Sequence, residues 1–334
     1  MNLRVGIVGA GAIGVVHGEA VAAVDGLTVS AVADPNLDAA HGVARPHDAR
    51  VYAGHRELLD RGEVDALIVN TPHAWHTDIV IDAAAAGAHV LVEKPMATSI
   101  ADCDTMIDAC RAAGVVLAVG HIQRFLPDKV AAKRALDTDE IGRVLMLSDR
   151  RGTDYRPGSR PDWFLNPDVS GGGAFINIGA HCVDRILWLA DTRVHAVTAT
   201  VVRPPDSIVE TDALARLDLA GGRTAHIAVT GSGPPARHDE LSIIGERGSM
   251  TVSPLTGTVL HRDGKSRILC EPAADALPTA FAAQLRDFAR AVSDGAEPAV
   301  TGAHGRHVLA CVLAVYTSAD KATTVHLEPG HGQS

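Results

Sequence analysis

Lys94, Asn177 and His181 have residue types and positions that suit chemistry on a hydroxyl group. Lys94 follows a strand-like apolar run, and an ammonium at a strand end can hydrogen-bond a hydroxyl and stabilise the negative charge developing on its oxygen. Asn177 and His181 are four residues apart, so in a helix they lie on one face, and histidine is the usual base near neutral pH. The plainer alternatives are a surface lysine paired with Glu93 and a histidine satisfied at the surface or in the core.

A glycine fingerprint directly follows the first apolar run of the chain. Gly9 permits a tight turn, Gly11 lets the backbone approach a pyrophosphate, and Gly14 lets the following helix pack close to the strand. The helix amides at Ala12 and Ile13 would then face an anion. Glycines also mark ordinary turns, so the fingerprint alone leaves a merely structural turn open.

Asp34 strengthens the prediction of a dinucleotide site. It stands twenty residues beyond Gly14, at the end of the next apolar run, where a carboxylate accepts hydrogen bonds from an adenosine ribose. The same carboxylate would repel a 2′-phosphate, and Pro35 and Asn36 supply no arginine to neutralise one. The sequence therefore predicts NAD rather than NADP as the cofactor.

Alternating strand-like and helical segments must position these residues in the first part of the chain. They predict a parallel, doubly wound sheet, with strands at 3–8, 28–33, 64–69, 88–92 and 115–119 and helices at 12–24, 56–61, 77–86 and 99–113. Ligands of such sheets bind at the carboxyl ends of the strands. We therefore expect the turns at 70–73, 93–95 and 120–121 to border the cofactor.

The pattern changes after about residue 125 and predicts a mostly antiparallel sheet. A helix at 127–137 and a strand at 142–149 lead to a polar loop over 150–173 and a helix at 174–190. Further strands are predicted at 195–203, 212–219, 223–230, 240–244, 249–253, 257–262 and 266–270. Helices at about 277–294 and 303–319 have apolar stripes that should pack back on the body of the protein.

Length, charge and cysteine usage narrow the class of protein. A chain of 334 residues suggests two domains, which we place at 1–123 and 124–334, leaving open that the C-terminal helices pack back on the first domain. The net charge of −10 argues against nucleic-acid binding. No apolar run reaches membrane-spanning length, and the first strand begins too early for a signal peptide, so we expect no membrane association and a cytoplasmic location. The five cysteines form no CxxC pair, which predicts reduced, mostly buried thiols and no metal site.

The motifs together resemble a known family. The fingerprint, the Glu-Lys-Pro that closes a strand, and Gly-Gly-Gly followed by Asn-x-x-x-His-x-x-Asp resemble the Gfo/Idh/MocA oxidoreductases, nicotinamide-dependent dehydrogenases of sugars, inositols and related polyols. The likeness runs from Val5 to about Leu327. It implies an N-terminal Rossmann domain and an α+β substrate-binding and oligomerisation domain, whose open, mostly antiparallel sheet is covered by helices on one face. The other face commonly pairs with a second subunit, so a homodimer or homotetramer is implied.

The resemblance also implies roles for single residues. Lys94 matches the catalytic lysine and His181 the proton-transfer histidine. Asn177 stands where many members have Asp; an amide cannot relay a proton, so it should orient substrate hydroxyls or the imidazole. The implied cofactor-binding residues are Gly9, Gly11, Ala12, Ile13, Gly14, Asp34, Thr71, Pro72, His76, Glu93, Lys94, Pro95 and Arg124.

Substrate binding is implied for a second set of residues. These are Lys94, Tyr155, Arg156, Trp163, Asn177 and His181. Arg151, Asp154, Arg160 and Asp162 fill the same polar loop, where substrate selection would occur, although a merely solvated loop is the plainer interpretation.

These observations lead to a functional hypothesis. We expect NAD-dependent oxidation of a secondary hydroxyl of a sugar, aminosugar, aminoglycoside or cyclitol to a ketone, or the reverse reaction. Two alternatives remain open, namely an NAD-dependent glycosidase of the same fold and a non-enzymatic regulator that senses a dinucleotide.

Overall fold

The computed structural model describes residues 2–205, 207–233 and 238–327. In chain order its first part contains β1 Leu3–Val8, α1 Ala12–Ala22, β2 Leu27–Ala33, α2 Leu37–Ala44, β3 Arg50–Tyr52, α3 His55–Asp60, β4 Ala66–Val69, α4 His76–Ala85, β5 His89–Glu93, α5 Ile100–Ala113 and β6 Leu117–Gly120.

The later part of the chain contains more strands than helices. Its elements are α6 Pro127–Asp137, β7 Val144–Gly152, α7 Pro167–Ser170, a π-helical turn Phe175–Gly179, α8 Ala180–Leu189, β8 Val194–Val202, β9 Asp212–Leu219, β10 Arg223–Thr230, β11 Asp239–Gly245, β12 Ser249–Ser253, β13 Gly257–Arg262, β14 Lys265–Cys270, α9 Ala276–Asp294, α10 Gly302–Lys321 and β15 Val325–His326.

Six parallel strands form the sheet of the first compact unit. Their order is β3-β2-β1-β4-β5-β6, the arrangement of a doubly wound dinucleotide-binding sheet. The central strands are apolar on both faces because helices cover both, and Ile7, Ile68 and Val92 are completely buried. The predicted Rossmann fold is confirmed. The segments α2 and β3 were not predicted: one is a single alanine-rich stretch of eight residues and the other has only three.

The first unit also includes a distant part of the chain. It comprises the residues up to Ile122 together with Leu277–Arg306, and the second unit comprises Gln123–Ala276 and the residues from His307 onward. Within the first unit, Val119 N donates a hydrogen bond to Val300 O at 3.0 Å, an ordinary length for a backbone hydrogen bond. The sequence places the division between the domains at 123/124, one residue from the boundary between Ile122 and Gln123. Residues 277–306, which the sequence assigns to the second domain, belong to the first unit. Residues 328–334 of the predicted second domain lie outside the described residues.

Nine strands form the sheet of the second unit. Their order is β14-β13-β12-β11-β7-β10-β9-β8-β15, and every neighbouring pair is antiparallel except β7 and β10. Burial alternates along the strands: in β9, Ala213, Ala215 and Leu217 are buried, whereas Leu214 and Arg216 are exposed. One face of the sheet therefore faces the core, as predicted. No helix in the described ranges is both long and apolar enough to cross a membrane.

Candidate active site

The glycine fingerprint forms the turn between β1 and α1 in the first unit. Gly9 has a φ of +95°, and a Cβ atom there would lie 2.8 Å from the backbone carbon of Asn70. A Cβ on Gly14 would lie 2.2 Å from Gly9 O, so both positions require glycine. A Cβ on Gly11 would meet nothing within 4 Å, and no side chain caps α1 at that residue. The open space beside uncapped helix amides suits a phosphate.

Asp34 lies at the carboxyl end of β2 and is bound to the fingerprint turn. Its Oδ2 accepts a hydrogen bond from Ala10 N at 2.8 Å, and its Oδ1 accepts one from Asn36 N at 2.8 Å. Each carboxylate oxygen has a second lone pair, so the residue can still accept hydrogen bonds from a ribose diol. Its position fits the predicted recognition of an adenosine ribose.

The turn after β4 has polar groups that fit a bound ligand. The amide atoms Oδ1 and Nδ2 of Asn70 and the hydroxyl of Thr71 are buried and have no hydrogen-bond partner within the described ranges. Buried polar groups normally have partners, because an unsatisfied one costs about 1–3 kcal/mol. Together with the open fingerprint turn, these groups fit a dinucleotide cofactor. The sequence analysis includes Asn70 only as part of the turn at 70–73. Its position at the end of a strand was the signal that could have identified it as a cofactor-binding candidate.

His76 connects the turn after β4 to the turn that follows Lys94. Its Nε2 lies 2.8 Å from Thr71 O, and its Nδ1 lies 3.1 Å from Pro95 O. The ring is completely buried, and burial lowers its pKa although the surrounding carbonyls favour the protonated form. His76 therefore shapes the predicted cofactor loop from inside the protein.

Glu93 and Lys94 stand at the carboxyl end of β5. Glu93 Oε1 lies 3.0 Å from Nε2 of the buried His17, and its Oε2 accepts a hydrogen bond from Lys94 N at 3.2 Å. Burial raises the pKa of Glu93, but the hydrogen bond from His17 and the charges of His17 and Lys94 outweigh it, and the pKa is lowered. Glu93 is thus an anion held within the unit, next to a half-buried Lys94 whose bond to Pro95 is cis.

Asn177 and His181 lie on neighbouring helical turns in the second unit. Asn177 belongs to the π-helical turn and is 5% exposed, and His181 belongs to the first turn of α8. The predicted single helix over 174–190 is therefore a π-helical turn followed by an α-helix. Such π-helical insertions are frequent at functional sites.

Tyr155 differs from the other predicted substrate-binding residues because it is completely buried. Its side chain is hydrogen-bonded to that of Asn177, and burial raises the pKa of the phenol. The guanidinium of Arg160 lies 4.7 Å from the centroid of its ring. Tyr155 is therefore linked by a hydrogen bond to the predicted substrate-binding residue Asn177.

The remaining predicted residues of the second unit lie in ion pairs and stacks. Arg124, a predicted cofactor-binding residue, is held by a carboxylate: its Nε is 2.9 Å from Oδ1 of the buried Asp184. Arg156 pairs with Asp154 at 2.6 Å on the exposed loop. The ring of Trp163 stacks on Phe164 with centroids 3.7 Å apart. Asp162 begins the short 3₁₀ turn that contains this stack, and Arg151 Nη2 lies 3.3 Å from Asp239 Oδ2.

Comparison with known proteins identifies the family of the chain. Residues 3–121 match the family model described as oxidoreductase family, NAD-binding Rossmann fold, and residues 130–251 match the GFO/IDH/MocA C-terminal domain. The chain belongs to the GFO/IDH/MocA oxidoreductase family. The predictions of the family, of the fold class and of NAD as the cofactor are confirmed.

Individual relatives resemble most of the chain. A 1,5-anhydro-D-fructose reductase of Ensifer adhaerens is 31% identical, with 82% of this chain and 83% of the relative covered. A scyllo-inositol 2-dehydrogenase (NAD(+)) of Bacillus subtilis is 26% identical over 90% of this chain and 89% of its own. The crystal structure of GenD2 from gentamicin A biosynthesis in complex with NAD has a TM-score of 0.88 and 26% identity, covering 98% of this chain and 97% of that one.

Proposed function

We propose that this oxidoreductase uses NAD to convert a secondary hydroxyl of a sugar, aminosugar or cyclitol into a ketone, and that it also catalyses the reverse reaction. The observation that carries the proposal is the arrangement of groups at the carboxyl edge of the first sheet. The open fingerprint turn, Asp34 and the unsatisfied amide of Asn70 follow the ends of β1, β2 and β4, where a dinucleotide can bind them. Similarity to a reductase of an anhydro sugar and to an inositol dehydrogenase supports the substrate class.

The proposed mechanism divides the work among three side chains. His181 accepts the proton of the substrate hydroxyl, because a neutral imidazole is a good base near neutral pH. Lys94 donates a hydrogen bond to the same oxygen and stabilises its negative charge as the carbonyl forms. Asn177 binds neighbouring hydroxyls, since an amide both donates and accepts hydrogen bonds but takes up no proton. Bound NAD supplies the hydride acceptor.

The remaining proposed contacts follow the same division. On the cofactor side, we propose Gly9, Gly11, Ala12, Ile13, Gly14, Asp34, Thr71, Pro72, Glu93 and Pro95 as the binding residues, with His76 and Arg124 supporting them. On the substrate side, we propose that Arg156 and Trp163 contact the sugar and that Tyr155 acts through Asn177.

A substrate panel tests this proposal. The purified protein is incubated with NAD and with single polyols, including inositols, aldoses, anhydro sugars and aminosugars, or with single glycosides. NADH formation is followed by absorbance, and release of the free sugar from each glycoside is measured in parallel. We expect net NADH from at least one polyol. Cleavage of a glycoside without net NADH would show the glycosidase alternative instead, and cofactor binding with no turnover of any compound would favour a regulator.

We also propose that the protein is a homodimer or homotetramer. The outward face of the nine-stranded sheet has exposed Leu214 and Ile244, and the strand register places them on the same face as Thr198, Thr200 and Arg216. A face of this mixed composition suits a moderately polar interface with a second copy. Light scattering should show a dimer or tetramer at micromolar concentration, and Leu214→Glu should dissociate it. A wild-type monomer would refute this part alone.

The proposed location is the cytoplasm. All five cysteines are free thiols, and Cys103, Cys110, Cys182 and Cys311 are buried. Free, buried thiols suit a reducing compartment.

A further inference from the structure

The helical segment that contains Asn177 and His181 begins without a local side-chain cap. The first intrahelical bond runs from Asn177 N to Gly173 O at 3.3 Å, so the amides of residues 173–176 have no acceptor within the helix. Such amides normally bind a nearby Ser, Thr, Asp or Asn side chain or water. Here residues far away in the sequence take that place.

Glu210 and Tyr316 accept hydrogen bonds from all four amides. Glu210 binds three of them: its Oε2 accepts from Gly173 N at 2.9 Å, its backbone oxygen from Ala174 N at 2.9 Å, and its Oε1 from Phe175 N at 2.8 Å. The hydroxyl of Tyr316 accepts from Ile176 N at 3.0 Å and donates to Glu210 Oε1 at 2.8 Å. We refer to Glu210 and Tyr316 as the helix cradle.

The glycine run before the helix makes room for the cradle. A Cβ on Gly172 would lie 2.4 Å from the hydroxyl oxygen of Tyr316, and one on Gly173 would lie 2.1 Å from the backbone oxygen of Glu210. Neither contact is possible for a residue with a side chain. Glycine at these two positions therefore allows Tyr316 and Glu210 to lie directly against the backbone at the start of the helix.

The cradle is buried, and both side-chain oxygens of Glu210 accept hydrogen bonds. Glu210 is 2% exposed, and burial raises its pKa above the ordinary value, although the hydrogen bonds from Phe175 N and Tyr316 partly offset this effect. A carboxylate at the start of a helix also interacts favourably with the helix dipole. A buried carboxylate that accepts this many hydrogen bonds holds its donors in a narrow range of positions, because leaving any of them unsatisfied is costly.

We propose that Glu210 and Tyr316 are positioning residues that fix the start of this helix and thereby aim Asn177 and His181 at the substrate. Asn177 directly follows the last amide bound by Tyr316, and His181 stands four residues further along the same helix. A displacement of about 1 Å at a reacting group can cost about a hundredfold in rate. The inference rests on the roles proposed above for Asn177 and His181.

Three single variants separate positioning from general stability. Tyr316→Phe removes only the hydroxyl. Glu210→Gln keeps the size of the side chain, but its NH₂ group replaces one of the two accepting oxygens and then faces a backbone N–H donor. Ser318→Ala is the matched control on α10. Its buried hydroxyl accepts from Ala199 N at 2.9 Å and donates to Thr323 O at 2.6 Å, and neither hydrogen bond involves residues 173–176. All three should lose thermal stability.

Only the cradle variants should lose catalysis. We expect kcat with the best polyol of the panel to fall by about 10- to 100-fold in Tyr316→Phe and Glu210→Gln, with the Kd for NAD unchanged and kcat of Ser318→Ala at the wild-type level. The double variant should be little slower than the slower single variant, because the two residues act as one unit. Hydrogen–deuterium exchange should accelerate in the peptide over residues 173–181.

The outcomes distinguish the possible failures. A wild-type kcat in both cradle variants, or an unchanged rate of hydrogen–deuterium exchange over residues 173–181, would overturn the inference. The proposed function would still stand in that case, provided that the wild-type protein forms NADH. A wild-type protein that forms no NADH would instead refute the proposed function and, with it, the catalytic meaning of the cradle. If Tyr316→Phe does not fold, Glu210→Gln decides the question with the same measurements.

Discussion

Nε2 of His17 lies 3.0 Å from Oε1 of Glu93, and the histidine ring is completely buried. The pair connects α1, which begins at the glycine fingerprint, to the end of β5, immediately before Lys94. The same ring makes an edge-to-face contact with Phe281, with centroids 4.9 Å apart. His17 therefore connects α1, which follows the fingerprint turn, with the end of β5 and with helix α9.

Replacing His17 by Phe should destabilise the first unit. The variant keeps an aromatic ring beside Phe281 but leaves the mostly buried Glu93 without this hydrogen bond, at a cost of about 1–3 kcal/mol. Because the pKa of Glu93 is lowered from 4.5, its contribution is present above that pH and is lost as the pH falls through the folded value. Urea unfolding should therefore show a large difference at neutral pH and a smaller one in acid. His41→Phe, at an exposed position, is the control, and equal stability of both variants would contradict the prediction.

Lys94→Ala should reduce turnover while leaving cofactor binding intact. The ammonium is proposed to act on the oxygen that gains negative charge, so its removal should lower kcat by about 10²- to 10³-fold. The Kd for NAD, measured by calorimetry, should stay within about twofold of wild type, because the ammonium acts mainly on the transition state. Lys133→Ala, which removes an ion pair with Asp137 on α6, should behave like wild type. Similar rates in wild type and Lys94→Ala would exclude Lys94 from the mechanism.

His181 should control the acid side of the pH profile. The imidazole must be neutral to accept a proton, so kcat/KM of oxidation should fall as the pH drops through the pKa of this group in the free enzyme. His181→Ala should remove that limb and slow oxidation by about 10²- to 10⁴-fold. Asn177→Ala should mainly raise KM and keep the limb, since an amide positions hydroxyls only. An acid limb that persists in His181→Ala would point to Lys94 or a water as the proton acceptor.

Cofactor preference should depend on Asp34. The carboxylate repels a 2′-phosphate, so kcat/KM with NAD should exceed that with NADP. The double variant Asp34→Ala/Pro35→Arg should reverse the preference. Arginine is best placed at the exposed position 35, because the side chain of Asn36 caps α2 by accepting from Ala39 N at 3.2 Å. Asp38→Ala, in the first turn of the same helix, is the matched control and should keep the NAD preference. A wild-type preference for NADP would show that Asp34 does not select the cofactor.

Asp239→Asn should destabilise the second unit at neutral pH. Asp239 Oδ1 lies 2.7 Å from Nη1 of Arg185, which is completely buried and also pairs with Asp149. Burial raises the pKa of Asp239, but the charges of Arg185, Arg151 and Lys129 lower it well below 3.8. Its stabilisation is therefore present above that pH and lost as the pH falls below it.

Denaturant unfolding at neutral and at acidic pH measures this effect. Breaking a buried pair costs about 3 kcal/mol, and the difference between wild type and Asp239→Asn should shrink in acid. Asp263→Asn changes a carboxylate that is 84% exposed in its pair with Arg262 and should have little effect at either pH. A constant difference between wild type and Asp239→Asn at all pH values would contradict the predicted linkage.

Most elements of both sheets could be predicted from the sequence because apolar runs are separated by clear turn signals. Strands β9 and β10 and helix α6 have the predicted bounds. Ser99 and Gly114 begin and end α5 as cap residues, one through a side-chain hydrogen bond to Asp102 N and the other with a φ of +68°. These signals are local, so they can be recognised without knowledge of the fold.

The contacts that support the candidate site could not be predicted in the same way. Ile176 and Tyr316 are 140 residues apart, and Gly173 and Glu210 are 37 apart. No periodicity or cap motif relates residues at such separations, because the fold alone brings them together. Tyr155 is a similar case, because its burial and its hydrogen bond to Asn177 depend on the fold and cannot be recognised in the sequence.

Because Leu277–Arg306 belongs to the first unit, that unit can be completed only late in the synthesis of the chain. All six strands of its sheet precede residue 122, yet the unit also needs Phe281 against His17, Val300 against Val119 and Arg306 against Asp104. The ribosome must therefore make the chain from 123 to 276 before the unit that started first can close. A premature stop before residue 306 leaves the dinucleotide-binding unit unfinished, although every strand of its sheet has already been made.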